Sequence, residues 1–206
     1  MNLRISKKKF IYLISPNKIY PQFYQDLKKL LKTGKVGLFQ LRLKKYPLKK
    51  KFLIGKKVHQ ICKKNSVKFI INDDPILSKK LNADGCHLGQ KDMSINNAKK
   101  IIGNKIIGIT CHNSIKLAKA AIKEKASYIA FGAFFSTKTK KVKFKAKTEI
   151  LNKAKKLTNT PIVAIGGINI NNYKKLLLNN ANLLAISGYV WNNKKYKPLE
   201  TIEKLK

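Results

Sequence analysis

The stretch KIIGITCHNSIKLAKAAIKEKASYIAFGAF, residues 105–134, decides the fold. It opens with a β-branched apolar run (105–110) and closes with another (128–134), each of strand length. Between them Ile115, Leu117, Ala118, Ala121 and Ile122 make one apolar face at helical spacing, and Asn113 or Ser114 supplies an N-cap. A strand, a helix and a second strand in about thirty residues form a βαβ unit, whose strands run parallel.

The same alternation extends in both directions. Further strand candidates are FIYLIS (10–15), VGLFQLRL (36–43), KFIIN (68–72), GCHLG (85–89), PIVAIGG (161–167) and LLAISG (183–188), making eight with the two above. Helical segments fill the gaps, among them INNAKKII behind a Ser94 cap. Eight strands alternating with helices predict an α/β protein, a single (β/α)8 TIM barrel spanning residues 1–206. A doubly wound sheet usually has fewer strands, and no GxGxxG or GxxxxGK[ST] opens a helix after the first strand.

Composition narrows the function classes. The apolar share of 44% suits a globular core, and no apolar run approaches the roughly 20 residues that span a bilayer. The basic N-terminus is followed only by FIYLIS, too short for a signal-peptide core, so a cytoplasmic protein without membrane association is expected. Three separated cysteines, Cys62, Cys86 and Cys111, give neither a disulfide framework nor a zinc motif. The 46 Lys and Arg against 9 Asp and Glu set a formal charge of +37, which attracts polyanions. The lysines are spread along the whole chain, however, and arginine occurs only at Arg4 and Arg42. Nucleic acid is therefore not the expected partner.

Barrel enzymes carry their chemistry at the C-terminal strand ends. Gln40, Arg42 and Lys44 share one face if the second strand stays extended. Asn72 and Asp73 end the third strand, His87 sits on the fourth with Gln90 and Asp92 just beyond, and Thr110 and His112 end the fifth. STKTKK (136–141) follows the sixth, while GGI (166–168) and ISG (186–188) end the last two as a phosphate cradle of backbone N–H groups. Asp73 and Asp92 suit a hard divalent cation, with Arg42, Lys44 and Lys140 neutralising a polyphosphate. Structural readings fit others: Asp74 before Pro75 as an N-cap, Asp84 in NADG as a turn residue, and His87 as a hydrogen-bonded core histidine.

FQLRLK, INDD, DGCHLGQKDM, IIGITCHN, YIAFGAFFSTKTKK, PIVAIGGI and LLAISG, in this order over about residues 36–190, resemble the thiamine phosphate synthase and thiazole tautomerase family. The resemblance implies a (β/α)8 enzyme that joins hydroxymethylpyrimidine diphosphate to a thiazole phosphate, with release of pyrophosphate. It implies Gln40, Arg42, Lys44, Asn72, Thr110 and Lys140 around the pyrimidine diphosphate, with Arg42, Lys44, Thr110 and Lys140 as the catalytic set. Asp73 and Asp92 would hold Mg2+, and Thr137, Lys138, Thr139, Gly167, Ile186 and Ser187 the thiazole phosphate. Departures are Thr110 where the family usually has Ser, Ala133 where Pro is usual, ISP ending the first strand, and SGY after the last. Alternatives are a tautomerase using His112 as acid/base and a basic nucleic-acid-binding protein; homo-oligomerisation is left open.

Overall fold

The computed structural model describes residues 3, 6, 8–137 and 144–206. Eight strands alternate with helices: β1 (Ile11–Ile14), α1 (Phe23–Lys32), β2 (Val36–Leu41), α2 (Leu48–Lys64), β3 (Lys68–Asn72), α3 (Pro75–Lys80), β4 (Gly85–Leu88) and α4 (Ile95–Ile102). There follow β5 (Ile106–His112), α5 (Ile115–Lys123), β6 (Tyr128–Gly132), α6 (Glu149–Leu157), β7 (Ile162–Ile165), α7 (Tyr173–Leu178) and β8 (Leu183–Ile186). Two short helices, α8 (Gly188–Trp191) and α9 (Pro198–Glu203), end the chain. Every strand pairs in parallel with its sequence neighbour, and β1 pairs with β8, so the sheet closes into the (β/α)8 barrel expected from the sequence. Among the described residues no helix is long and apolar enough to cross a membrane.

Most strands are a residue or more shorter than their sequence reading, and at two of them the difference bears on the rim. β2 stops at Leu41, so Arg42 and Lys44 sit in the following loop rather than continuing the face that carries Gln40. β5 runs on to His112 through a register shift against β6 between Thr110 and His112, a bulge that inserts Cys111 and leaves His112 at φ 51°. Bulges of this kind re-aim side chains beside active sites.

The alternation of side chains along each strand creates two cores. Outward-facing residues such as Leu13, Phe39, Phe69, Ile71, Ile107, Ile129 and Phe131 pack under the helices. Inward-facing Tyr12, Ile14, Leu38, Ile70, Ile106, Tyr128, Ala130, Val163, Leu183 and Ala185 fill the barrel. The large Tyr128 ring finds space because β5 carries glycine opposite: a Cβ on Gly108 would lie 1.8 Å from Tyr128 Cζ.

Three helices start where the sequence placed caps. Asp74 accepts from Leu77 N at 2.8 Å with Pro75 in the first turn, Ser94 from Asn97 N, and Ser114 from Leu117 N. Asp84 is structural as well, binding Lys68 Nζ at 2.8 Å and Phe69 N at 2.9 Å.

Replacement Asp74→Ala should lower unfolding free energy by about 1 kcal/mol in urea denaturation, while Asp74→Asn stays within about 0.5 kcal/mol of the parent. Gly108→Ala should cost more, about 2–4 kcal/mol in the same measurement, because the fully buried Tyr128 ring has no open side to move into.

Candidate active site

The strand ends β2 to β5 deliver the charged and polar residues to one rim. Arg42 donates its backbone N–H to Ser15 Oγ at 2.9 Å and its guanidinium to Asn17 Oδ1 at 3.1 Å, which pins it across the ends of β1 and β2. Lys44 Nζ lies 2.8 Å from Asp73 Oδ2. Asp73 turns the chain sharply after β3, at φ 62°, and its backbone N–H donates to the His87 carbonyl at 2.8 Å. A non-glycine residue in this left-handed region is the kind of strained position that concentrates at functional sites. Asp92 folds back in the turn after β4, its Oδ2 accepting from Gly89 N at 2.7 Å.

Asp73 and Asp92 interact electrostatically, and their carboxyls shift in opposite directions. Burial alone would raise the Asp73 carboxyl. The hydrogen bonds from Lys44 and Asp92, the Lys44 charge and Asn72 outweigh it and hold Asp73 below the ordinary carboxylate range. Partial desolvation, and then the neighbouring Asp73, push Asp92 up. Burial depresses the Arg42 guanidinium, with the Asp73 charge opposing.

Such a pair of adjacent carboxylates, one reluctant to ionise, is a donor set that a hard divalent cation would satisfy with water and substrate oxygens completing its shell. Among the described residues no group of three or more His, Cys, Asp or Glu gathers to hold a metal by protein ligands alone.

Deeper in the barrel Gln40 is buried and donates to the Tyr12 hydroxyl at 2.7 Å. Thr110 Oγ1 is 2.9 Å from His87 Nε2, and the Gln90 amide donates to the Thr110 carbonyl. His87 is the hydrogen-bonded core histidine expected from its apolar strand, while Tyr12 and Tyr128, its extended partners, went unnoticed as functional groups. Their only signal was inward phase, two residues from other inward positions on their strands. Asn17, which holds Arg42, carries no sequence signal at all. His112 lies past the bulge with its ring 4.3 Å from that of Phe144.

On the far side of the same rim β7 and β8 are neighbours, so GGI and ISG stand side by side. Gly167 has φ 65°, and a Cβ there would lie 2.4 Å from the Ser136 carbonyl, so only glycine lets the loop after β6 approach this closely. That loop is tied to the rim: Phe134 N donates to Ile165 O, Phe135 N to Gly166 O, Ala133 N to Phe144 O and Ala146 N to Ala133 O. Ser187 donates to the Ser15 carbonyl at 3.2 Å. Ile186 directs its side chain into the layer beneath the helices, which leaves its backbone for the rim. Thr137 is the last described residue before residues 138–143; Lys138, Thr139 and Lys140 lie outside the described residues. Clefts of 490 and 220 Å³ lie between α4 and α5 and beside α6, the second lined in part by Phe134 and Phe135 of the loop after β6.

A family model described as thiamine monophosphate synthase matches residues 11–190. A thiamine-phosphate synthase of Pelagibacter ubique (strain HTCC1062) is 66% identical over 200 residues, covering 97% of each chain. One of Rhodospirillum centenum (strain ATCC 51521 / SW) is 40% identical over 185 residues, covering 89% of each. The solved thiamine phosphate pyrophosphorylase of Pyrococcus furiosus superposes with a TM-score of 0.85 at 28% identity, over 97% of this chain and 95% of that one. With the family model and both relatives spanning the barrel and its rim, the chain belongs to the thiamine monophosphate synthase family.

Proposed function

We propose that the protein is a transferase that condenses hydroxymethylpyrimidine diphosphate with thiazole phosphate, giving thiamine phosphate and pyrophosphate. The observation that carries this reading is the cluster of Arg42, Lys44, Asp73 and Asp92 at the ends of β2 to β4, which joins cationic donors to a carboxylate pair. An isomerisation releases no diphosphate and has no use for such a cluster. The assembly is suited to a departing polyanion.

The roles follow from position. Gln40 and Thr110 flank the barrel mouth from β2 and β5 and hold the pyrimidine ring. Arg42, Lys44 and Asn72 take the diphosphate, with Lys140 assigned to it from the loop after β6. As the bond from the exocyclic methylene to the diphosphate oxygen breaks, negative charge grows on the leaving group, and these donors stabilise it. The thiazole nitrogen then bonds to the methylene carbon. Thr137, Lys138, Thr139, Gly167, Ile186 through its backbone, and Ser187 hold the thiazole phosphate so that nitrogen and carbon meet in line, a contribution of positioning rather than acid–base chemistry. Asp73 and Asp92 would hold Mg2+, which supplies further neutralisation of the diphosphate when bound.

Pyrophosphate release by the purified protein should require both substrates and Mg2+. Asp92→Ala and Lys44→Ala should each lower kcat/KM by about 100-fold or more, whereas the cap variant Asp74→Ala should retain activity where it is folded. Release from one substrate alone, or full activity of Asp92→Ala, would overturn the reading.

The carboxylate pair also sets a pH dependence. Because the Asp92 carboxyl is raised, it keeps its proton above the usual carboxylate range and must give it up to bind a cation. Mg2+ affinity, read by calorimetry without substrates, should therefore rise as pH climbs through that raised value, with proton release on binding. Asp92→Asn should lose both the release and much of the affinity.

A further inference from the structure

The turn that leaves β1 through Ser15, Pro16 and Asn17 acts on Arg42, the first residue after β2. Pairing of the two strands reaches as far as Ser15, whose N–H donates to the Gln40 carbonyl at 2.9 Å. In a parallel ladder the next rung would carry the Arg42 N–H to the Ser15 carbonyl. Here the Ser15 hydroxyl takes that N–H instead, at 2.9 Å, and turns its own proton to the Arg42 carbonyl at 3.4 Å. A hydroxyl combines donor and acceptor, so one side chain holds both backbone groups of Arg42. The Ser15 carbonyl displaced from the ladder has another partner: Ser187 Oγ donates to it at 3.2 Å. Trp191 Nε1 donates to the adjacent Ile14 carbonyl at 2.6 Å, which braces the turn from the side of β8 and α8. Ser15 is buried in this arrangement, at 2% exposure.

Pro16 fixes its own φ and biases Ser15 towards extended backbone, and the side chains of Ser15 and Asn17, two positions apart, both reach Arg42. Asn17 Oδ1 accepts from Arg42 Nη1 at 3.1 Å. The nature of this partner matters. Lys44 is ion-paired with Asp73 at 2.8 Å, whereas among the described residues no carboxylate forms an ion pair with Arg42. A carboxamide oxygen orients a guanidinium while leaving its positive charge uncancelled and its remaining N–H groups open to an oxyanion. A long side chain that is already ordered also loses less rotamer freedom when that anion arrives.

We propose that Ser15 and Asn17 are positioning residues for Arg42, Ser15 fixing its backbone where β2 ends and Asn17 holding its guanidinium at the rim with the charge unspent. The inference rests on the proposed function, in which Arg42 takes the diphosphate, and it names what prepares Arg42 for that anion. It assigns the turn after β1 to one substrate only, because the bonds that Ser15 and Asn17 make by their side chains all go to Arg42.

Arginine occurs only at positions 4 and 42, so protein labelled with 15N-arginine gives two side-chain Nε–H signals, and Arg4→Lys leaves that of Arg42. Heteronuclear relaxation should show this side chain ordered in the parent and mobile in Asn17→Ala, and Ser15→Ala should mobilise the Arg42 backbone amide in the same spectra. Pyrophosphate affinity, read by calorimetry with Mg2+ present, should fall roughly fivefold in each variant. In turnover, kcat/KM for the pyrimidine diphosphate should drop by a similar factor while KM for the thiazole phosphate stays within about twofold. An Arg42 side chain as mobile in the parent as in Asn17→Ala would overturn the proposal, as would pyrophosphate affinity unchanged by its loosening. A matching rise in KM for the thiazole phosphate would also refute it, marking a general disturbance of the rim. Asn17 is exposed, so its variant decides the matter even where Ser15→Ala fails to fold. A parent that turns over neither substrate would sink the proposed function, while the spectra and pyrophosphate affinity still decide whether the turn readies Arg42 for a polyanion.

Discussion

Closure of the sheet is the constraint on which everything else hangs. Once β1 has paired with β8, as in the Leu184 N to Phe10 O bond at 2.8 Å, no strand has an edge, and all eight end on the same rim. Parallel strands alternate one face towards the helices and one towards the barrel axis, so every second residue of every strand competes for a narrow interior. That competition explains glycine at position 108 beside a tyrosine at 128 and alanine at 130 and 185. It also explains why groups far apart in sequence converge. Tyr12 and Tyr128 are 116 positions apart yet touch, because each is the inward residue of its strand at the same depth.

Polar groups at that depth carry a cost unless each is matched. An unsatisfied buried hydroxyl or amide costs about 1–3 kcal/mol, and a complete network recovers it while fixing one arrangement. Gln40, Tyr12, Tyr128, His87 and Thr110 are hydrogen-bonded in that order, each from a different strand. Their satisfaction depends on barrel closure, since β1 and β6 touch only across the interior. The same dependence holds these side chains in place.

The parts legible in the sequence were those governed by local pattern. Alternating apolar runs and helical faces fixed the barrel, and the Asp74–Pro75, Ser94 and Ser114 signals marked helix starts correctly because capping is decided within four residues. Strand ends were less legible. Gln40, Arg42 and Lys44 have the spacing of one face, but Arg42 is drawn off by Ser15 and Asn17 and Lys44 by Asp73, all from other elements. The bulge at Cys111 has no local signature either. His87 was readable as a core histidine, whereas its ring contacts were not readable, since Thr110 and Tyr128 lie 23 and 41 positions away.

The scarcity of carboxylates sharpens the same point. Four of nine fall between positions 73 and 92 in a chain of charge +37, and each has separate work. Asp74 accepts the Leu77 N–H of α3, and Asp84 ties Lys68 and the Phe69 N–H to the turn before β4; both could be replaced by other acceptors at modest cost. Asp73 and Asp92 are different, because neither stabilises a helix end, and partial burial and then the approach of Asp73 raise Asp92 at the expense of folding. Sign follows directly: the raised Asp92 carboxyl costs stability where it is ionised, whereas the lowered Asp73 carboxyl contributes stability there. With more than forty cations in the chain, pairing Asp92 with a lysine would have been easy. Its placement against another carboxylate instead serves no contact of the fold described above, and the cation proposed to bind there would relieve it.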